Sequence, residues 1–520
     1  MYVHTHWGYN RPYAARSWTL DDWDNYLSGL ASLGYDLVKL WPLLDCMPPE
    51  PNASDRAFLG KIAKVIDLAH DKYGMKFAIV VCPNTMGNDK AAAYPYETRP
   101  YFVCERKLNP ADPTEFRALM DARRRQLEPL AKADMLVIID SDPGGYIGST
   151  NAEFVNLMKG QIEVFREFNP EAELYYWMLV GWETYNKFWE ATQNWKEGEP
   201  LPTHPSSFEA RVFVETLEGM KRDIPEPWGV LAGMQVHADA TSAVGVADKQ
   251  IFYPYGVVEG EPTFPMTNYF PEAIERRIGR EYDRTLYPRG VIANSQTHCL
   301  QLPNAYLFAH YAKHGPGAEP DMAAFGEDLL VGLGPMLAQN WAALAAADGA
   351  LQNWVKATHS AATQGESASP QPVAQHSEAL FALAAGVRQE VGKRHSLGKS
   401  AGLLFGSPDR FLEDLAMNLE VRAGMVDFAS VIGTADADDA AVALRALLGV
   451  LRPYQEMLGF RDAAGGPLAY GFLYPLGRLG DPAVQAALRQ LEEWRDLGIR
   501  NGVMVRILDS ADAYCRARGV

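Results

Sequence analysis

The chain has 520 residues, 48% hydrophobic and 22% charged, the composition of an ordinary globular protein that is too long for one simple core. Its 48 basic and 65 acidic residues give a formal charge of −17, which argues against nonspecific binding to nucleic acid or to an anionic membrane. No apolar run reaches the roughly 20 residues of a membrane span, and the opening "MYVHTHWGYN" lacks the basic and apolar regions of a signal peptide.

In chain order, short apolar runs rich in Val, Ile, Leu and aromatics alternate with amphipathic stretches of helical period. "MYVHTHW" opens as a strand and is followed by a helix over "TLDDWDNYLSGLASLG". Strands are predicted next over 35–42 ("YDLVKLWP") and 76–83 ("KFAIVVCP"). Asp112 stands where an N-cap belongs, with Pro113 at the first helical position and Glu115 three residues past the cap. Further strands are predicted over 135–142 ("MLVIIDSD"), 174–182 ("LYYWMLVGW") and 229–239 ("GVLAGMQVHAD"). The last two fall over 250–261 ("QIFYPYGVVEGE") and 290–298 ("GVIANSQTH"). The link "ATSAVGVADK" leaves room for only a short helix, whereas "YFPEAIERRIGREYDRTL" supplies a full one.

Eight such strands with intervening helices predict an α/β chain whose residues 1–315 form a (β/α)8 TIM-type barrel. A doubly wound open sheet is the alternative, but its nucleotide-binding forms want a glycine-rich turn after the first strand, and "HTHWGYNRP" is not one. From about residue 320 Ala and Leu dominate and strand signals fade, so residues 316–520 are predicted as an all-α C-terminal domain. "THSAATQGESASPQPVAQHS" (358–377), rich in Ser, Gln and Pro, interrupts it as a predicted mobile loop. Five scattered cysteines, without CxxC spacing, suggest neither a disulfide framework nor a structural zinc, and a reducing cytoplasm fits best.

Chemistry is sought at strand ends, because barrel active sites lie at the C-terminal mouth. In "MLVIIDSDPGG", Leu136, Ile138, Asp140 and Asp142 share one parity. If that set fills the interior, both aspartates emerge at the mouth. The plainer reading is that an aspartate here binds backbone amides of the turn. Other strand ends carry polar groups too: His6 with Trp7 after the first, Asp45 after the second, Asn84 after the third, Glu183 after the fifth. His237 and Asp239 end the sixth, Glu259 and Glu261 the seventh, and Asn294, Gln296 and His298 line the eighth. Trp41, Tyr146, Trp177 and Trp182 add aromatic surface at the same level. Sugar rings offer apolar C–H faces to indoles and hydroxyls to carboxylates, amides and imidazoles, so such a mouth suits carbohydrate.

"AARSWTLDDWDNYLSGLASLGYDLVKLWP", followed by "GMKFAIVVCPN", resembles the opening of glycoside hydrolase barrels of the hexosaminidase and α-glucuronidase type. The similarity covers roughly the first 150 residues. In substrate-assisted hexosaminidases the fourth strand ends in an acidic pair, and Asp140 and Asp142 resemble that pair, though spaced by one residue. Gly144 stands where a chitinase-like pattern would put its catalytic Glu, which disfavours that mechanism.

The sequence therefore leads to an exo-acting glycoside hydrolase with no cofactor and no catalytic metal. Asp142 is expected as the general acid, raised in pKa by an apolar mouth and by its neighbour. Its partner would be Asp140 if the substrate supplies its own nucleophile, or else Glu259 or Glu261 across the barrel, and stereochemistry stays open. The expected partner is a carbohydrate substrate, without nucleic acid or membrane, and the helical domain could serve homo-oligomerisation. Two other readings stand beside this one. His4-x-His6 and His237 match part of an amidohydrolase metal set, which is incomplete elsewhere. A sugar-binding barrel without catalysis is the other.

Overall fold

A computed structural model describes residues 1–5, 10–141, 144–194, 196, 209–254, 269, 271–295, 302–364, 377–432, 435–459 and 503–520. Eight parallel strands form its centre: β1 (Tyr2–Val3), β2 (Leu37–Leu40), β3 (Lys76–Val81), β6 (Met135–Ile139), β7 (Glu173–Trp177), β8 (Trp228–Ala232), β9 (Gln250–Phe252) and β10 (Asn294–Ser295). They are ordered β10-β1-β2-β3-β6-β7-β8-β9. The sheet curls back on itself, since Phe252 bridges Val291 in parallel, Phe252 N donates to Gly290 O (2.8 Å) and Ile292 N to Phe252 O (2.9 Å). Each strand is shorter than the apolar run that announces it. A two-stranded antiparallel hairpin, β4 (Thr85–Gly87) with β5 (Glu105–Lys107), stands apart from that sheet and was not anticipated.

The intervening helices start where their caps dictate. α1 (Leu20–Leu33) and α2 (Ala53–Tyr73) both open on capping boxes, Thr19 with Asp22 and Asn52 with Asp55. α3 (Pro113–Leu127) opens at Asp112, whose carboxylate accepts from Thr114 N and Glu115 N as the sequence leads one to expect. α4 (Asn151–Arg166), α5 (Trp182–Asn194), α6 (Ala210–Asp223) and α7 (Gln235–Val244) continue the alternation. Two predicted strands are cut short by helices. Gly181, at φ +89°, lets the chain turn into α5, so Trp182 and Glu183 lie on a helix. Likewise β8 ends at Ala232, which puts His237 and Asp239 on α7 rather than at a strand end. Buried Phe213 and Ala240 reward that helix, whereas an extended continuation would expose its apolar face.

α8 (Pro271–Ile274) and α9 (Leu302–His314) flank β10, and α10 (Met322–Leu329) begins the Ala- and Leu-rich part. There the described elements are mainly helical: α11 (Gly334–Gln364), α12 (Ser377–Glu390), α13 (Pro408–Ile432), α14 (Ala437–Leu458) and α15 (Val503–Ala517). α11 runs to Gln364, so the first third of the predicted mobile loop is helical, and residues 365–376 lie outside the described residues. The 3-10 turn Ala401–Leu404 packs on α1, where Leu403 closes over Gly29. No described helix is long and apolar enough to cross a membrane.

Candidate active site

Register decides which side chains face the barrel interior. Tyr2 pairs with both Lys39 and Asn294, Lys39 pairs with Ala78, and Ala78 with Met135. Partners in register on neighbouring parallel strands share a face, and so do residues two apart on one strand. Met135, Val137 and Ile139 therefore face the same way as Lys39, and Ile139 pairs with Trp177. The Lys39 Nζ lies over the rings of Trp177, Tyr253 and Tyr2 at 3.5, 3.9 and 4.2 Å from their centroids. Rings from β1, β7 and the end of β9 meet one another only inside the curled sheet, so this face is the interior. Trp41 continues it, edge-on to Trp177 at 6.0 Å, and His4 sits edge-on to Tyr2 at 5.5 Å.

The expectation that Leu136, Ile138 and Asp140 fill the interior is thus reversed. They face the helices. Asp140 is fully buried and its carboxylate accepts from Tyr176 OH (2.8 Å), Leu179 N (3.0 Å), Val180 N (3.0 Å) and Gly181 N (2.9 Å). Tyr176 in turn stands edge-on to Phe154 of α4, which fixes that side as the outer layer. Burial raises the Asp140 pKa, and the three amides and the phenol pull it back. This carboxylate clamps the turn between β7 and α5. β6 ends at Ile139 and Ser141 lies in a bend, so strand parity has no hold on Asp142, which lies outside the described residues.

Several other predicted residues also serve as clamps. Asp45 accepts from Trp41 Nε1 (2.6 Å), Cys82 N (2.8 Å) and Arg123 (3.2 Å), and this ion pair is fully buried. Asn84 donates to Leu108 O and Gly145 O and accepts from Gly145 N, tying Gly145 to the segment that follows β3. Tyr146 is half-buried, and its backbone N donates to Asn186 Oδ1 at 2.9 Å. Trp182 is buried, stacked on Phe154, with its indole N–H on Ser149. Glu183 accepts from Asn151 N and pairs with Arg211 at 3.1 Å near the surface.

His237 Nδ1 accepts from Gly233 N at 3.2 Å, and its ring stands edge-on to Phe213. Burial lowers its pKa to about 4, opposed by a backbone contact to Leu179. Asp239 is exposed and accepts from Gln235. Of the described residues singled out in the sequence, the interior layer gathers Trp41, Trp177 and Asn294. Glu259, Glu261, His6, Trp7, Gln296 and His298 lie outside the described residues.

What sequence reasoning missed is Lys39. It is fully buried, its Nζ has no hydrogen-bond partner among the described residues, and burial holds its pKa well below the usual lysine range. The Trp177 indole N–H and both polar atoms of the buried Asn294 amide are likewise unpartnered among the described residues, as is the Ser141 hydroxyl. Buried polar groups are normally satisfied, so such a cluster calls for an occupant. The signal was there in "YDLVKLWP", a charge set inside an apolar strand. Among the described residues no group of three or more His, Cys, Asp or Glu is arranged to hold a metal ion.

No protein-family profile matches the chain, and no curated protein matches it. Among solved structures it is similar to the chitobiase of Flavobacterium johnsoniae, with 11% identity and a TM-score of 0.38, over 84% of this chain and 76% of that one. A likeness that loose carries no argument about activity.

Proposed function

We propose that this chain is an exo-acting glycoside hydrolase working at the C-terminal mouth of the curled sheet, with Asp142 as general acid. The observation that carries this reading is the interior layer of Trp41, Trp177, Tyr253 and Tyr2 beside the buried Asn294 amide, which has no partner among the described residues. Lys39 lies over the rings of Trp177, Tyr253 and Tyr2, so Trp41 is the ring offered to the C–H face of a sugar, and the Asn294 amide suits its hydroxyls. Asp140 is committed to the turn between β7 and α5, so in this reading the partner of Asp142 is Glu259 or Glu261. Asp140 and Gly145, which flank Asp142 in sequence, are each hydrogen-bonded, to Val180 N and to Asn84. In this proposal residues 1–315 are the catalytic barrel and residues 316–520 a helical domain serving self-association. Cys46, Cys82, Cys104 and Cys515 are buried and outside any disulfide, which fits a reducing cytoplasm.

Turnover of a panel of aryl and alkyl glycosides tests the reading. Asp142→Asn keeps the shape and removes the transferable proton, so the rate on alkyl glycosides should fall about 100- to 10,000-fold. Nitrophenyl glycosides, whose leaving group departs without protonation, should lose far less. Equal losses on both would remove Asp142 from the acid role, and no turnover of any glycoside would end the proposal.

A further inference from the structure

We propose that Lys39 is a nucleophilic amine that forms an imine with the carbonyl carbon of a small aldehyde or ketone entering the barrel mouth. The inference concerns a different reaction at the same interior layer, and its readout, labelling of Lys39, does not depend on glycoside turnover. It rests first on enclosure. The Lys39 Nζ meets three ring faces and, among the described residues, no carboxylate and no hydrogen-bond acceptor. Removing an ammonium from water without a counter-ion costs several kcal/mol. Ring faces return part of that but accept no N–H hydrogen bond of ordinary strength. A lysine so placed sheds its proton readily, and desolvation is one of the established ways to turn a lysine into a nucleophile.

The second ground is the company it keeps. Asn294 flanks Tyr2 on the opposite side from Lys39, in the same register and on the same face. Its amide and the Trp177 indole N–H are buried donors without partners among the described residues. A carbonyl group would satisfy them, since its oxygen accepts from such donors while its carbon remains open to the amine.

The step balances without any redox partner. The Nζ lone pair forms a bond to the carbonyl carbon, and the C=O π pair moves to oxygen, which takes up the proton that nitrogen loses. The resulting carbinolamine then expels its oxygen as water, forming C=N, and hydrolysis reverses both stages.

The test uses the full-length protein, glycolaldehyde as probe and sodium cyanoborohydride, whose hydride reduces the imine to a stable secondary amine. Peptide mapping then locates the hydroxyethyl group. At pH 7 an ordinary lysine is neutral in only about one molecule in a few thousand, and each unit of lowered pKa raises that tenfold. Lys39 should therefore be labelled at least about 10-fold faster than Lys72 and Lys132, whose pKa values are raised by their aspartate partners. Asn294→Leu should slow the labelling of Lys39 and leave the surface lysines unchanged. Lys39→Met should abolish the site while raising the urea midpoint, because a thioether fits the ring cage without the cost of a buried amine. An unlabelled Lys39, or one labelled no faster than those surface lysines, overturns the proposal. So does a Lys39→Met protein that keeps the fast-labelling site.

Discussion

Asp140 shows how one carboxylate can look catalytic in sequence and serve the backbone in space. Three consecutive amides, Leu179 to Gly181, converge on it together with one phenol, and its own backbone N donates to Trp177 O. An asparagine would present an NH2 to some of those donors. Each buried donor left unmet costs about 1–3 kcal/mol, so Asp140→Asn should lose roughly 2–4 kcal/mol of stability. The urea midpoint should fall with an unchanged m-value. An unaltered midpoint would show that the clamp is unimportant and return Asp140 to the list of candidate acids. The residue types at the mouth were legible because carboxylates and amides punctuate apolar runs. Their direction was not. Both faces of a parallel barrel strand are buried, so Leu136 and Val137 are equally hidden and alternation loses its polar contrast. Lys39 escaped for the opposite reason: attention to strand ends passed over a charge inside a strand.

At the scale of elements, strand existence was readable and strand extent was not. Each of the eight apolar runs contains a strand, but two of them continue within the described residues into a turn and a helix that bury them equally well. "LYYWMLVGW" is the plainest instance, with β7 ending at Trp177 and α5 starting at Trp182. Packing between distant elements left a subtler trace in glycines. A Cβ on Gly402 would overlap the Asn25 carbonyl oxygen of α1, and a Cβ on Gly29 would overlap Leu403. The contact joins residues hundreds of positions apart, partly through backbone, so nothing in either local sequence announces it. Gly402→Ala should force α1 and the 401–404 turn apart, at a cost typical of overpacking, about 1–3 kcal/mol. Limited proteolysis should then cut near residue 402 faster than in the unaltered protein. Unchanged cleavage and an unchanged urea midpoint would mean that the two elements slide without penalty.

The whole molecule is joined across the curled sheet and the later helices by buried polar contacts. Tyr13, just after β1, donates its hydroxyl to Asp414 of α13, and Arg410 reaches both, at 2.7 Å to the phenol and 3.0 Å to the carboxylate. Asn10 N donates to Leu458 O at the end of α14. Burial pushes the Asp414 pKa up to about 7, with Tyr13 and Arg410 pulling against it. His237, on α7, is shifted the other way, to about 4 by burial. The two act on stability with opposite signs. Between about pH 4 and 7 the folded state holds a proton on Asp414 that the unfolded chain has released, so stability falls as pH rises. Between about pH 4 and 6.5 the unfolded chain protonates its histidine while folded His237 stays neutral, so stability rises with pH over that window. Each contribution is on the order of 3–4 kcal/mol, and in the intact protein they largely cancel. Replacing one group should expose the other. Relative to the unaltered protein, Asp414→Asn should gain stability by urea unfolding as pH goes from about 4.5 to 7, and His237→Asn should lose it. A variant whose difference from the unaltered protein is the same at both pH values would show that its group does not titrate between them, and that the opposing pair does not exist.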